Sequence, residues 1–403
     1  MSTSPPQAPI LWKQVLGLTA VQSAIALMWV IYGLYLPQLL AQFGMSIEVA
    51  IALVAVENGL AVVIEPIMGG ISDRSLRWVG SRFPAIAVGV VAASALFIAI
   101  PLIGLFGNPE QVARWVVVAV LVTWSVAMTI FHSPVLSLLR TYSSVPQLPI
   151  ANSLLVLTSG LIGTARPIAN QSILSLGPTA TFTIGSIVLL GSATALRLVD
   201  PPLPTAPSAA PESPRLTISA LVLAAGLGVS IGWGIRFVMD TFVKVFQTRL
   251  PDLDVGMVMF WVAVGLAVLA VPAGFLASQL GNRRVVFLSL ILTMVLLQLM
   301  VFSSTQWALT GCVVSLVVTL SLMANSAFPL VLSLVPPAKA GLGTGMYLGG
   351  GAAATCIFGV FFSQLQQLNV GGAALSAAIA FFIATLCVFA TGRFLSPAKP
   401  LLS

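Results

Sequence analysis

Twelve apolar runs, each long enough to cross a bilayer, follow one another along this 403-residue chain with short joints between them. They lie at 14–41, 48–71, 84–106, 113–139, 150–175, 179–198, 217–245, 255–280, 285–303, 307–333, 341–366 and 372–394. A helix needs about 20 mainly apolar residues to span the hydrocarbon core. Charged residues make up 7% of the chain and apolar types 58%, whereas a soluble domain carries about 25% charged residues. A chain this poor in charge lacks the polar surface that would keep it dispersed in water, so lipid is the solvent that fits. The runs predict an all-α membrane protein with twelve transmembrane helices.

Between the sixth and seventh runs, Asp200 to Arg215 carries six prolines and can neither continue a helix nor pack as a core. The expected organisation is a tail at 1–13, a six-helix bundle at 14–198, a proline-rich linker at 199–216, a second six-helix bundle at 217–394 and a tail at 395–403. Lysine and arginine concentrate on cytoplasmic loops. With the N-terminus inside, the cytoplasmic face receives Lys13, Arg74, Arg77, Arg82, Arg140, Arg197, Arg215, Arg283, Arg284, Lys339, Arg393 and Lys399, and the outside only Arg114, Lys244 and Arg249. Both termini and the linker are therefore expected in the cytoplasm, in a plasma (inner) membrane protein. The first run is too long for a signal-peptide core and reads as a retained span.

Several function classes are excluded. The net charge of +7 comes from basic residues scattered between apolar runs, which is a topology signal and not a nucleic-acid footprint. Cys312, Cys356 and Cys387 all fall inside apolar runs, so neither a disulfide framework nor a metal site is expected. Gly341, Gly343, Gly345, Gly349, Gly350 and Gly351 open the eleventh run. No strand precedes them and no Gly-Lys-Ser/Thr follows, so they indicate close helix packing and hinge freedom, not a phosphate loop. No nucleophile–base pair stands out. The chain is not expected to be an enzyme, and no cofactor is implied.

The halves echo each other. Gly69-Gly70-Ile71-Ser72-Asp73-Arg74, followed by Arg77, Gly80 and Arg82, comes after the second run, and Gly274 to Arg284 comes after the eighth. Each reads as a small residue ending a helix, a tight turn and a basic cluster. Ser133-Pro134-Val135-Leu136-Ser137-Leu138-Leu139 closes the fourth run, and Phe328-Pro329-Leu330-Val331-Leu332-Ser333-Leu334 closes the tenth. Repeats at matching places in two six-span halves point to a transporter with its site at the repeat interface.

At these residues the chain resembles the major facilitator superfamily, whose loop between spans two and three looks like Gly69, Asp73 and Arg74. The string Pro66, Gly69, Ser72-Asp73-Arg74, Arg77, Gly80, Arg82 and Pro84 resembles that of the sucrose:proton symporters and the related glycoside–pentoside–hexuronide symporters. Val21-Gln22 with Leu36-Pro37, Pro134 with Leu138-Leu139 and Ala151-Asn152, and Trp233 with Phe237 and Asp240-Thr241 are similar to further stretches of that group. The resemblance implies the superfamily's fold and a gating role for Gly69, Asp73, Arg74 and Arg82. Asp73 would cap a helix of the other half when the cytoplasmic side is closed. The plant sucrose symporters carry an acid and an arginine in the fourth span where this chain has Ser125 and Leu136, so sucrose and that coupling pair do not carry over. Folate–biopterin transporters share a similar loop, which keeps a pterin-like solute among the alternatives.

A charge at bilayer depth costs roughly 2.5–3.5 kcal/mol on insertion scales and needs a partner or a water-filled cavity. Glu57, Glu65, Arg166, Arg236, Asp240 and Lys244 are in this position. Asn152, Ser159, Gly163, Arg166 and Asn170 share one face of the fifth span; Arg166 either holds substrate or locks helices by pairing with Glu57. Arg236 and Asp240 are four apart on the seventh span and either pair there or leave Asp240 to titrate during transport. Glu57 with Asn58, Asp240, and the lone His132 are the candidates for proton coupling, although His132 also reads as a structural hydrogen-bonder. Glu65 is expected in the gate network with Arg74 or Arg82. Candidate substrate-binding residues are Gln22, Trp29, Asn58, Arg166, Asn170, Trp233 and Asn325.

The expected function is secondary active transport of a small polar solute, a sugar being one option, by alternating access and coupled to protons. A membrane receptor or assembly factor on the same fold is the opposed class. The expected partners are a small-molecule substrate, protons and the lipid bilayer, with the chain acting as a monomer.

Overall fold

Backbone amides in a bilayer core have no water to bond, so an apolar chain of this kind must satisfy them within helices or a closed barrel. The computed structural model describes residues 9–106, 114–201 and 216–394, apart from the side chains of 104–106, 165–172 and 362–363. The described residues are helical, with no strand among them. We number the long helices α1 (Trp12–Gln42), α2 (Ile47–Val79), α3 (Phe83–Phe106), α4 (Arg114–Ser137), α5 (Leu148–Ser175) and α6 (Pro178–Val199). The second set is α7 (Ile218–Arg249), α8 (Val255–Val268 and Ala270–Leu280), α9 (Asn282–Phe302), α10 (Gln306–Leu334), α11 (Ala340–Val360) and α12 (Val370–Ala390). Side-chain caps start several of them. Asp254 accepts from the Gly256 and Met257 amides, Thr217 from Ala220, Thr305 from Ala308 and Asn369 from Gly372.

Ten of these helices are long and apolar enough to cross a membrane, and α8 makes an eleventh if its two segments count as one span. Helix α11 has 21 residues, about 31 Å of rise. It is long enough to span, although its glycines dilute its hydropathy and keep it out of that set. The protein is thus an all-α membrane protein.

Two features differ from the sequence reading. Helix α2 does not end at Gly69-Gly70 but runs eight residues past the expected boundary at 71 to Val79, stopping at Gly80 with φ 69°. Nothing in Ser72-Asp73-Arg74 breaks a helix, and Gly80 supplies the left-handed turn that ends one. In the same way Gly274 lies inside α8, which ends before Gly281 at φ 88°. Helix α8 is also bent, by 41° at Leu269. Pro272 lacks an amide proton, and its ring crowds the Val268 carbonyl four residues earlier, which is where the axis breaks.

Buried apolar side chains form two clusters. One draws on α1–α6, with Trp124, Phe97, Phe131 and Met28 at its centre, and the other on α7–α12, with Phe237, Phe242 and Phe381. Phe328, Leu332 and Ala340 of the second half pack into the first cluster. Helix α11 is the joint. It lies against α2 of the first half and α7 of the second along its length, and its glycines let backbone meet backbone. A Cβ on Gly345 would lie 2.6 Å from the Glu65 carbonyl carbon, one on Gly349 2.9 Å from the Val62 oxygen, and one on Gly350 2.9 Å from the Val229 nitrogen.

Candidate functional site

Two features stand where the halves meet: a buried polar cluster near the α2–α3 turn and a cavity farther along α2. In the cluster, Asp73 is fully buried near the end of α2. Its Oδ1 accepts from the Gly341 amide at 2.9 Å and its Oδ2 from the Leu342 amide at 2.8 Å. These are the first amides of α11, which have no partner within their own helix and carry the positive end of its dipole. Arg82, 2% exposed, places Nη1 at 2.6 Å from Asp73 Oδ1 and donates through Nη2 to the Pro337 carbonyl at 3.3 Å. Gly69 lies against the Gly341 carbonyl, where a side chain would not fit. Arg74 is exposed; Arg82, not Arg74, is the cation that meets Asp73.

The cavity, about 180 Å³, is walled by α1, α2 and α4 of the first half and by α11 of the second. Trp29, Glu57, Asn58, Glu65, Ser125, Thr129 and His132 line it together with Ala61, Met128, Leu348 and Ala352. Glu57 accepts from the Tyr32 hydroxyl at 2.5 Å. Glu65 Oε1 lies 2.8 Å from His132 Nδ1, and its backbone carbonyl accepts from the Ser133 hydroxyl at 2.9 Å. The other carboxylate oxygen of Glu65 is buried with no hydrogen-bond partner among the described residues. Trp29 is held edge-on to Trp124 and Tyr32, with ring centroids 5.0 and 5.7 Å away, and still exposes 39% of its surface.

The structure thus brings five of the residues singled out from sequence into one cavity: Trp29, Glu57, Asn58, Glu65 and His132. It rearranges two expected networks. Glu65 pairs with His132 and not with Arg74 or Arg82. Asp240 pairs with Lys244 at 2.6 Å, while Arg236 donates to Thr355 Oγ1 at 2.8 Å and lies over the Phe358 ring. Both cations stand four residues from Asp240, and an acid N-terminal to its base is the better arrangement on a helix, so Lys244 has the favoured side.

Other candidates lie elsewhere. Gln22 is half-buried, with no partner for its Oε1 among the described residues. Trp233 is half-buried beside Phe237. Asn325 is fully buried, and its carbonyl accepts from Asn152 across the two halves at 3.3 Å. The side chains of Arg166 and Asn170 lie outside the described residues.

No protein-family model matches this sequence, and no curated protein matches it. Solved structures do. The human organic anion transporter MFSD10 (TETRAN) is 12% identical with a TM-score of 0.68, over 94% of this chain and 100% of that one. A bacterial homologue of the iron transporter ferroportin, in an outward-facing state, is 16% identical with a TM-score of 0.71, over 96% and 100%. The Escherichia coli fucose:proton symporter is 14% identical with a TM-score of 0.66, over 95% and 98%; a further structure of this symporter is described as a major facilitator superfamily transporter in the outward conformation. The chain has the major facilitator fold.

Within that fold, sequence reasoning missed a partner of Glu57 and two parts of the cavity wall. Tyr32 lies three residues after Trp29 on α1, and its hydroxyl meets Glu57. Thr129 and Ser125 share one face of α4, one turn apart, with the Thr129 hydroxyl bonded back to the Ser125 carbonyl at 2.9 Å. Ser125 was read only as the loss of an acid. The contribution of α11, Leu348 and Ala352, had no polar signal to reveal it.

Proposed function

We propose that this protein is a secondary active transporter that moves a small polar solute by alternating access and couples that movement to protons. The observation that carries this reading is the sharing of one cavity by Glu57, Glu65 and His132 at the seam between the halves. Two buried carboxylates and an imidazole at depth are costly in lipid and are retained where protons or solutes pass. Glu65, bound on one oxygen by His132 and without a partner on the other among the described residues, is suited to carrying a proton. The lone-acid role considered for Asp240 is weaker, because Lys244 already balances it. The α2–α3 turn is taken as cytoplasmic from its basic residues and the Asp73–Arg82 cluster on α11 is read as a seal of that side, which makes this sealed conformer one that faces outward. The exposed indole of Trp29 beside Asn58, Ser125 and Thr129 would also suit a sugar ring, so sugars belong in the first panel.

The test is solute uptake into proteoliposomes under an imposed pH gradient. One pH unit corresponds to about 1.4 kcal/mol, enough to concentrate a neutral solute roughly tenfold per coupled proton. Glu57→Gln is expected to hold accumulation at the outside concentration while exchange across equal pH continues, and Asp240→Asn to accumulate more than Glu57→Gln. Full gradient-driven accumulation by Glu57→Gln, Glu65→Gln and His132→Gln alike would remove proton coupling from this cavity. Absence of flux for every solute in a wide panel would favour a receptor or assembly factor.

A further inference from the structure

The polar groups around the cavity have largely given their hydrogens to the protein itself. The Tyr32 hydroxyl donates to Glu57, the Thr129 hydroxyl to the Ser125 carbonyl and the Asn58 amide nitrogen to the Val54 carbonyl. A hydroxyl has one proton to give, so Thr129 offers a solute only its lone pairs. Glu65 is 4% exposed, yet its second oxygen has no hydrogen-bond partner among the described residues. A buried carboxylate oxygen without a donor is costly, and this one belongs to a residue of the cavity wall. The charge on that wall also has one sign in excess. Glu57 and Glu65 line the cavity, and among the described residues no lysine or arginine does. His132, 2.8 Å from Glu65, can offset one acid; the other is left, and at bilayer depth it needs a counter-charge. An inorganic ion fits poorly. Hard cations such as calcium take about six to eight oxygens, and the described residues hold no group of three His, Cys, Asp or Glu that could bind a metal. Trp29, by contrast, exposes 39% of its surface at the same cavity, and an indole face attracts organic cations. Met128, Leu348 and Ala352 give the carbon part of such a solute an apolar wall. The volume of about 180 Å³ lies below the roughly 300 Å³ at which pockets for drug-sized molecules begin, so the solute is small.

We infer that the solute is a small organic cation, held between the Trp29 indole and the carboxylates of Glu57 and Glu65, and that it exchanges with a proton there. This rests on the transport reading above and names its solute class. The excess acid can be neutralised by a proton or by the solute, and each excludes the other, so a proton leaves as the cation enters. Transport is then an exchange of cation for proton across the membrane. A neutral sugar leaves the acid uncompensated, and a carboxylate solute adds to it. The other titratable side chains brought to this stretch of α2 are Tyr32 from α1, His132 from α4 and Cys356 from α11, which lies against Gly59. Tyr347 of α11 stacks on Phe328 instead, and α3 carries no titratable side chain.

The experiment is calorimetric binding to the full chain in lipid nanodiscs. The probes are choline and the alkylamines from methylamine to pentylamine, each beside the neutral alcohol of matched shape (3,3-dimethyl-1-butanol for choline). At least one cation is expected to bind about tenfold or more tighter than its alcohol. Titration in two buffers of different ionisation heat should show proton release with that cation and none with the alcohol. E57Q and E65Q should each weaken the cation about tenfold or more, and W29L roughly 2- to 30-fold, while the alcohol is unaffected. In E57Q the remaining acid still holds the cation at high concentration, so solute exchange continues. Each variant's unfolding temperature without ligand shows that it is folded; where one is not, the cation-to-alcohol ratio and the proton release of the unaltered protein decide. If no cation exceeds its alcohol, if the cation binds without proton release, or if folded E57Q and E65Q both bind it as the unaltered protein does, the inference is overturned. A sugar that moves with protons in liposomes while no cation binds overturns it and leaves the transport reading standing. Cation binding with proton release but no flux of any solute keeps the site and defeats the transport reading instead.

Discussion

Asp73→Ala is expected to destabilise the protein by about 3–5 kcal/mol, the cost of leaving one member of a buried ion pair without its partner. Arg82 is 2% exposed and meets Asp73 at 2.6 Å, so it has no water to turn to when the carboxylate is gone. The same substitution leaves the Gly341 and Leu342 amides at the start of α11 without their acceptors. These two losses differ in kind. The Arg82–Asp73 pair lies within the first half, whereas the amide bonds join the halves, so only the latter are specific to the sealed conformer. Asp73→Asn separates them. It keeps an acceptor for one amide, removes the charge, and should fall between Asp73→Ala and the unaltered protein. Arg74→Ala, at an exposed position, should cost no more than a few tenths of a kcal/mol. The measurement is thermal unfolding in nanodiscs with solute flux alongside. Equal effects of Asp73→Ala and Arg74→Ala would mean that the buried pair does not hold the seal.

The sequence made the topology legible because lipid leaves little choice: an apolar run of span length must be a helix, and charges collect at its ends. Partner choice was harder, and the reasons differ by residue. His132 and Glu65 are 67 positions apart, and no local spacing links them; only the packing of α4 on α2 does. For Asp240 only Arg236 was weighed as a partner, although Lys244 lies equally far along the helix on the side the acid-before-base order favours. Pro272 gave a visible reason for α8 to bend, but a proline in an apolar run signals a weak point without saying how far the axis will turn. The end of α2 was misplaced because two glycines looked like a stop. Their purpose is lateral: Gly69 admits the α11 backbone, while the left-handed turn belongs to Gly80. The contact of Asp73 with the first turn of α11 was expected from the resemblance, and the unpaired amides of a helix end supply its partners. The cavity was half readable, its charged members standing out against lipid and its serine, threonine and apolar wall blending into it.

Adding one methyl group at Gly345 is expected to shift the whole protein away from the sealed conformer. A Cβ there would meet the Glu65 carbonyl oxygen, with the Glu65 carbonyl carbon at 2.6 Å and Pro66 Cα at 2.8 Å. All three are groups of α2's main chain, not the mobile ends of side chains, so α11 and α2 must separate. Overpacking of this kind costs about 1–3 kcal/mol. Where the cost falls on one of two conformers, it moves their ratio roughly 5- to 150-fold. Gly191→Ala is the control, since a Cβ on Gly191 meets nothing within 4 Å and alanine favours the helix by up to about 1 kcal/mol. The readout is maleimide labelling of a single cysteine at Ala340, which is 1% exposed at the start of α11, with Cys312, Cys356 and Cys387 replaced. Gly345→Ala should speed labelling by the same factor as it shifts the equilibrium, whereas Gly191→Ala should leave it unchanged. Equal labelling rates in the two variants would show that α2 and α11 keep their spacing as the sealed face opens, and the gate would then have to be sought at the α5–α8 contact, where Gly274 lies against Ser153.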